Sequence, residues 1–251
     1  MQTTPDVMRL ALVGATLALL ALQPAFGQAN GSGATNSVTS GATAAPQAQA
    51  PDQQHSAVGR LSVNPVTGQT TAMASDYTPL TGAERWKLYF KQSYWSAGAY
   101  VGPLLAALAL DQSTGDPKQW GGGFAGYGRR VASRVAAGDV VQNSFQFVAA
   151  AALKEDVRYI ASDQPGFTRR IEHAILYSVL TYNSQGRPTP NLANIGGYYV
   201  ASAASTLWLP GHNKVASYAL SDGSEALALS VPVNMFQEFW PEISRKVLRR
   251  K

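Results

Sequence analysis

The sequence predicts an all-α fold: a compact bundle of about six to seven helices with close crossings at small residues. Three observations predict it. After position 80, apolar residues recur at helical spacing; Gly and Pro clusters punctuate the intervals; and no strand alternation of useful length occurs.

The fold does not begin at the first residue. Positions 10–22 read LALVGATLALLAL without a charge, after Arg9 and before Ala25-Phe26-Gly27. A charged start, a short apolar run and a small-x-small site describe an export signal, with cleavage expected after Gly27. Thirteen apolar residues fall short of the roughly 20 that a bilayer crossing needs. Residues 28–79 then read as a disordered Ala/Gly/Ser/Gln-rich tether. They carry three charges (Asp52, Arg60, Asp76) and one aromatic, Tyr77. So little apolar surface does not offset a backbone ordering cost of about 1–2 kcal/mol per residue. His55 lies in this stretch as a solvated side chain. The expected divisions are a signal over 1–27, the tether over 28–79, a helical domain over 80–244 and a basic tail over 245–251.

Within the domain, Thr81-Gly82-Ala83-Glu84 fits a capping box, followed by Trp86, Tyr89, Phe90, Ser93 and Tyr94 at helical spacing. A second helix is expected over 97–110, ending at the turn 113–117, and a third from about Pro117 to Ala137. Gly138-Asp139 is a junction or a tolerated interruption before a helix over 140–156. Helices over 167–180, 191–209 and 213–231 follow. Pro232 should kink or end the last of these, and Pro241 fits the first turn of a short terminal helix.

Three stripes of small residues at a spacing of four keep to one helix face each. They are Gly98, Gly102 and Ala106; Gly128, Ala132 and Ala136; and Ala193, Gly197, Ala201 and Ser205. A Gly inside a helix costs about 1 kcal/mol relative to Ala, so three such stripes imply that close helix approach is needed. Residues 92–110 and 188–213 are uncharged and long enough to span a bilayer. Their Asn, Ser, His and Pro content, with a mean hydropathy of −0.10, favours a buried core over membrane spans.

The chain carries no Cys, which excludes disulfides, thiolate nucleophiles and Cys-ligated metal. Charged residues are 14%, against roughly 25% in an average soluble domain. Net charge is +5, but the excess is local. Arg245, Lys246, Arg249, Arg250 and Lys251 supply it, and Ile243, Val247 and Leu248 interleave with them. A short basic amphipathic end suits an anionic membrane surface or an envelope protein, with Trp240 as an interfacial anchor; cations at a helix C-terminus are the plain alternative. Nucleic acid is not an expected partner of an exported chain.

Chemistry is thinly signalled. The segment from Gly121 to Gly128 contains G-x-G-x-x-G, but no strand precedes it and no Lys-Ser/Thr follows, so it reads as a packing segment. Glu155, Asp156, Glu172 and His173 are the weak catalytic candidates, as general base and partner in a hydrolase. Salt bridging of this charge cluster to Arg129, Arg130, Arg134, Arg158, Arg169 and Arg170 is the simpler account. No metal pair of His and no nucleophile elbow is present, and no cofactor is expected.

Taken together, Trp120-Gly121-Gly122-Gly123 with Gly126-Tyr127-Gly128-Arg129-Arg130, then Lys154 to Tyr159, then Asn191 to Gly197, resemble a group of uncharacterised exported bacterial proteins. The resemblance covers roughly 80–245. It implies location and a helical domain, and no reaction. The leading expectation is a non-enzymatic envelope protein bound peripherally to membrane or a partner through its small-residue faces and basic end. An integral membrane bundle and a Glu/Asp/His hydrolase are the alternatives.

Overall fold

The computed structural model describes residues 61–212 and 214–248, which belong to one unit. The signal segment 1–27, the tether up to residue 60 with His55, and Arg249, Arg250 and Lys251 lie outside the described residues. The elements, in order, are β1 (Thr71–Met73), α1 (Gly82–Phe90), α2 (Gly98–Ala106), α3 (Gly123–Arg134), α4 (Asn143–Leu153), β2 (Tyr159–Ala161), α5 (Phe167–Leu176), β3 (Leu180–Tyr182), β4 (Pro188–Pro190), α6 (Leu192–Ser205) and α7 (Val215–Leu248). The fold is mostly helical, as the sequence predicts. Wide π-turns extend α1 over Lys91–Trp95 and α2 over Ala107–Gln112, and another over Val135–Gln142 joins α3 to α4. Six continuous rods therefore build the described bundle, with α6 laid against α4 and α7.

Local chemistry sets several element ends. The Thr81 hydroxyl accepts from the Glu84 amide while the Glu84 carboxylate accepts from the Thr81 amide at 2.8 Å, which starts α1. Gly138-Asp139 does not break the chain into two helices; the rod widens there and runs on. Lys154 in the left-handed region (φ 60°) ends α4 early, so 155–158 are extended rather than helical. Helix α5 likewise stops at Leu176 instead of 180. Residues 180–182 pair antiparallel with 188–190 across a turn that Asn183 closes by accepting from the Gln185 and Arg187 amides. At the far end α7 runs through Pro232 and Pro241 as one helix, so the expected terminal helix is not separate.

The tether boundary needs correction. Residues 61–79 are folded: β1 pairs parallel with β2, and Leu61 and Leu80 are buried against Leu88. The segment has little apolar surface of its own, and α7 supplies the polar contacts that hold it. Gln237 Oε1 accepts from Asn64 Nδ2 and Thr71 Oγ1, both at 3.1 Å, and Gln237 Nε2 donates to Thr67 Oγ1. These tertiary hydrogen bonds in a buried site add to the apolar contacts that Leu61, Val63, Ala72, Met73, Ala74 and Tyr77 make with the two hydrophobic clusters.

Two of the three stripes lie inside. Ala193, Gly197, Ala201 and Ser205 are all buried, and a Cβ on Gly197 would lie 3.1 Å from Gln142 Cγ. Gly98 is buried under a turn rather than a helix: its Cβ would lie 2.1 Å from Gly68 N. Gly102 and Ala106 follow it on the half-buried side. The stripe of Gly128, Ala132 and Ala136 is a correction. Gly128 and Ala132 are exposed, Ala136 is half-buried, and nothing lies within 4 Å of a Cβ on Gly128. The helix presents its other face, with Gly126 and Arg130, to the Gly121 turn.

The interior is unusually polar. Among the described residues the buried set holds 13 hydrophobic side chains, seven of them Ala, against 17 polar or charged ones. Beyond Leu61, Leu80, Leu88, Tyr159, Ile160 and Tyr177, large apolar side chains are half-buried or stand outside. Backbones brought together by Gly, Ala and Ser leave no room between them for Leu or Phe, so bulk goes to the opposite faces.

Candidate functional site

The four catalytic candidates do not converge. Glu155 is buried and caps α6: its Oε2 accepts from the Ala193 amide at 2.8 Å and its Oε1 from the Leu192 amide at 3.3 Å. Asp156 is buried and held bidentately by Arg158, with 2.9 Å from Nε and 2.7 Å from Nη2, and accepts from the Tyr77 hydroxyl at 3.1 Å. Burial, then the Asp156 charge, pushes the Tyr77 hydroxyl far up. Glu172 is exposed. Arg130 sits apart, donating to the carbonyls of Asp116, Pro117 and Gly121 and to Gln112 Oε1. Of these groups only Asp156 and Arg158 form an ion pair; Glu155 and Arg130 bond mainly to backbone, Glu172 stands apart, and they form no shared cleft.

His173 alone joins a reactive-looking group, and its carboxylate partner is Glu238, which the sequence reading passed over. Glu238 is fully buried. Its Oε2 accepts from the Tyr159 hydroxyl at 2.6 Å, and Oε1 and Oε2 accept from the Ser162 amide at 3.1 and 3.2 Å. Arg170 Nε lies 3.3 Å from Oε1, and Arg170 also binds the Glu238 carbonyl and Glu242. His173 Nδ1 is 3.3 Å from Oε2 but lacks hydrogen-bond alignment. Its ring stacks on Tyr177 at 4.0 Å. Burial alone would raise the Glu238 carboxyl; His173, Tyr159 and Arg170 outweigh it and hold the group below its ordinary range. Burial and the Glu238 bond push the Tyr159 hydroxyl up. Glu238 has filled its lone pairs with protein donors and is a structural hub. The signal was present in the sequence: Ser230, Asn234, Gln237 and Glu238 repeat at helical spacing on α7, and all four are buried.

The outer face of α2 has a different character. Helix α2 buries Gly98 and Ala99, its π-turn buries Ala107, and Tyr100, Leu104 and Leu108, each one turn on from the last, face outward with Leu105. Leu105 and Leu108 are each 56% exposed, and Trp95, just before α2, is 82% exposed. Phe124, at the start of the neighbouring α3, is 95% exposed. Among the described residues, ten of the 22 large exposed hydrophobics lie between Trp86 and Phe124. Single exposed apolar residues are ordinary; a bulky face on an uncharged stretch is not.

The basic end is described only as far as Leu248. Arg245 and Lys246 are exposed, and Arg245 Nε donates to the Pro241 carbonyl at 3.0 Å. Trp240 is half-buried against Phe236 at 5.3 Å, and so closes the helix end more than it projects from it. Among the described residues no helix is long and apolar enough to cross a membrane, and no group of three His, Cys, Asp or Glu is placed to hold a metal ion. The chain matches no family model, and neither a curated protein nor a solved structure matches it.

Proposed function

We propose that this is a non-enzymatic, exported cell-envelope protein that rests peripherally on a membrane surface through the outer face of α2. One observation carries the reading: within an uncharged stretch of 19 residues Gly98, Ala99 and Ala107 are buried against the protein while Tyr100, Leu104, Leu105 and Leu108 face away. That is the reverse of a water-facing helix. Trp95, Tyr94 and Tyr100 at one end suit the headgroup level, where a ring can keep its polar atom wet. Lys87 and Lys91 on the adjoining helix, and the basic end, suit an anionic surface. The small-residue faces, expected to make the contact, are occupied within the molecule on α6 and at Gly98. The integral bundle is not carried forward.

Sedimentation with anionic vesicles tests the proposal. Side chains such as Trp95, Leu105 and Leu108 each contribute about 1 kcal/mol when half inserted, so replacing all three by Ser should weaken binding by roughly a hundredfold. Release of the native protein by carbonate should accompany this. Unchanged vesicle affinity of the triple variant would refute the face; unchanged affinity after deleting 245–251 would remove the tail from the account.

A further inference from the structure

A second site lies inside, unrelated to the α2 face. A cavity of about 250 Å³ opens between the π-turn at Val135–Gln142, α6 and the segment leading into β2. Its lining is rich in side-chain amides, including Gln69, Gln92, Gln142, Gln146 and Asn194. Asp139, on the π-turn itself, is its one carboxylate. Asp139 Oδ2 is buried and has no hydrogen-bond partner among the described residues. The one cation in the lining, Arg158, is already neutralised by Asp156 at 2.7 Å. Tyr94, on the π-turn after α1, lies near enough to feel the Asp139 charge, and Tyr159, Tyr177 and Tyr198 face the cavity from β2, the end of α5 and α6. None of these hydroxyls is a cation. A carboxylate with one oxygen sealed from solvent and no counter-charge is a standing cost that proteins ordinarily avoid by pairing.

We infer that the cavity binds a small organic ammonium compound, with Asp139 as counter-ion and the surrounding amides as hydrogen-bond partners for its polar body. The volume admits a molecule of amino-alcohol or amino-sugar size and excludes a polymer chain. An ammonium supplies the missing charge, and amide oxygens supply acceptors for its remaining protons. Burial pushes the Asp139 carboxyl up to about 7, so near neutral pH the empty site is partly protonated. Binding of the cation then expels that proton to solvent, which ties affinity to pH.

The test uses matched pairs on the intact chain: ethanolamine against ethylene glycol, and serinol against glycerol. Calorimetry at pH 8 should give at least one ammonium compound an advantage of about tenfold or more over its hydroxyl counterpart. The advantage should shrink at pH 5, and proton release should appear at pH 7 as a heat that depends on the buffer. Asp139→Asn should abolish the preference while leaving any weak binding of the neutral partner. Equal affinity within both pairs, no heat with either ammonium, or a preference that survives in Asp139→Asn overturns the inference. The native protein's paired comparison decides the matter even should the variant fold poorly.

Discussion

Replacing Asp139 by Asn should stabilise the protein at alkaline pH and leave it nearly unchanged in acid. The carboxyl rises from 3.8 to about 7 because burial disfavours its charge. At about 1.36 kcal/mol per pH unit, that rise corresponds to about 4 kcal/mol between the two protonation states. The group is only partly buried and solvent screens it, so about 2 kcal/mol is the working figure. The sign follows from proton binding. The folded protein holds a proton on Asp139 over the window in which the unfolded chain has lost it. The favourable contribution is therefore complete below 3.8 and lost as pH rises through about 7. Asparagine keeps the shape and cannot ionise. Urea unfolding should show the variant about 2 kcal/mol more stable at pH 8, a rise of several degrees in Tm, and no difference beyond a few tenths at pH 4. The reasoning fails if native and variant proteins differ by the same amount at both pH values, since Asp139 would then be solvated in the fold.

Other outcomes follow from the same packing. Gly197→Leu should cost about 1–3 kcal/mol by overpacking against Gln142, whereas Gly128→Leu, in open space, should be neutral or slightly stabilising; equal Tm values for the two would discredit the stripe on α6 as a contact. Glu238→Gln should cost about 3 kcal/mol by taking from the Arg170 guanidinium its buried anion and leaving it only the exposed Glu242. Its loss should appear in denaturation above the pH at which the native carboxyl ionises, and a stability equal to native there would show that Glu238 is not the hub.

What was legible in the sequence was whatever depended on neighbours along the chain. The Thr81–Glu84 box declares itself within four residues, and the stripe from Ala193 to Ser205 is visible by spacing alone. Burial of Gly98 was right in outcome and wrong in partner, because its cover is the turn at Asn64–Gly68 and not a second helix. The fold of 61–79 was invisible for the same reason. A polar segment is ordered here by Gln237, far along the chain, and no local count of apolar residues registers that. Gly128 misled because spacing fixes a shared face but not which way the face points. His173 was identified without Glu238, although the polar residues of α7 recur one turn apart on a helix that was expected to break at Pro232.

Polar interior and bulky exterior have one cause. Low charge in a chain of ordinary hydrophobic content means that its buried polar groups are mostly hydroxyls and amides, which need close partners and not large neighbours. Gly, Ala and Ser bring the backbones near enough for those short side chains to meet, as where a Cβ on Gly223 would lie 2.5 Å from the Tyr199 ring. Side chains as large as Trp95, Leu105 and Phe124 then have no inward position to occupy. Displayed to water, such residues favour association, and covering the Tyr100, Leu104, Leu105 and Leu108 side chains on α2 and its π-turn would stabilise the protein that displays them. The Asp139 carboxylate is the inverse case, a charge without a partner in the interior and more stable when one arrives. Both proposed contacts would lower the free energy of the chain by covering what it leaves exposed or unpaired.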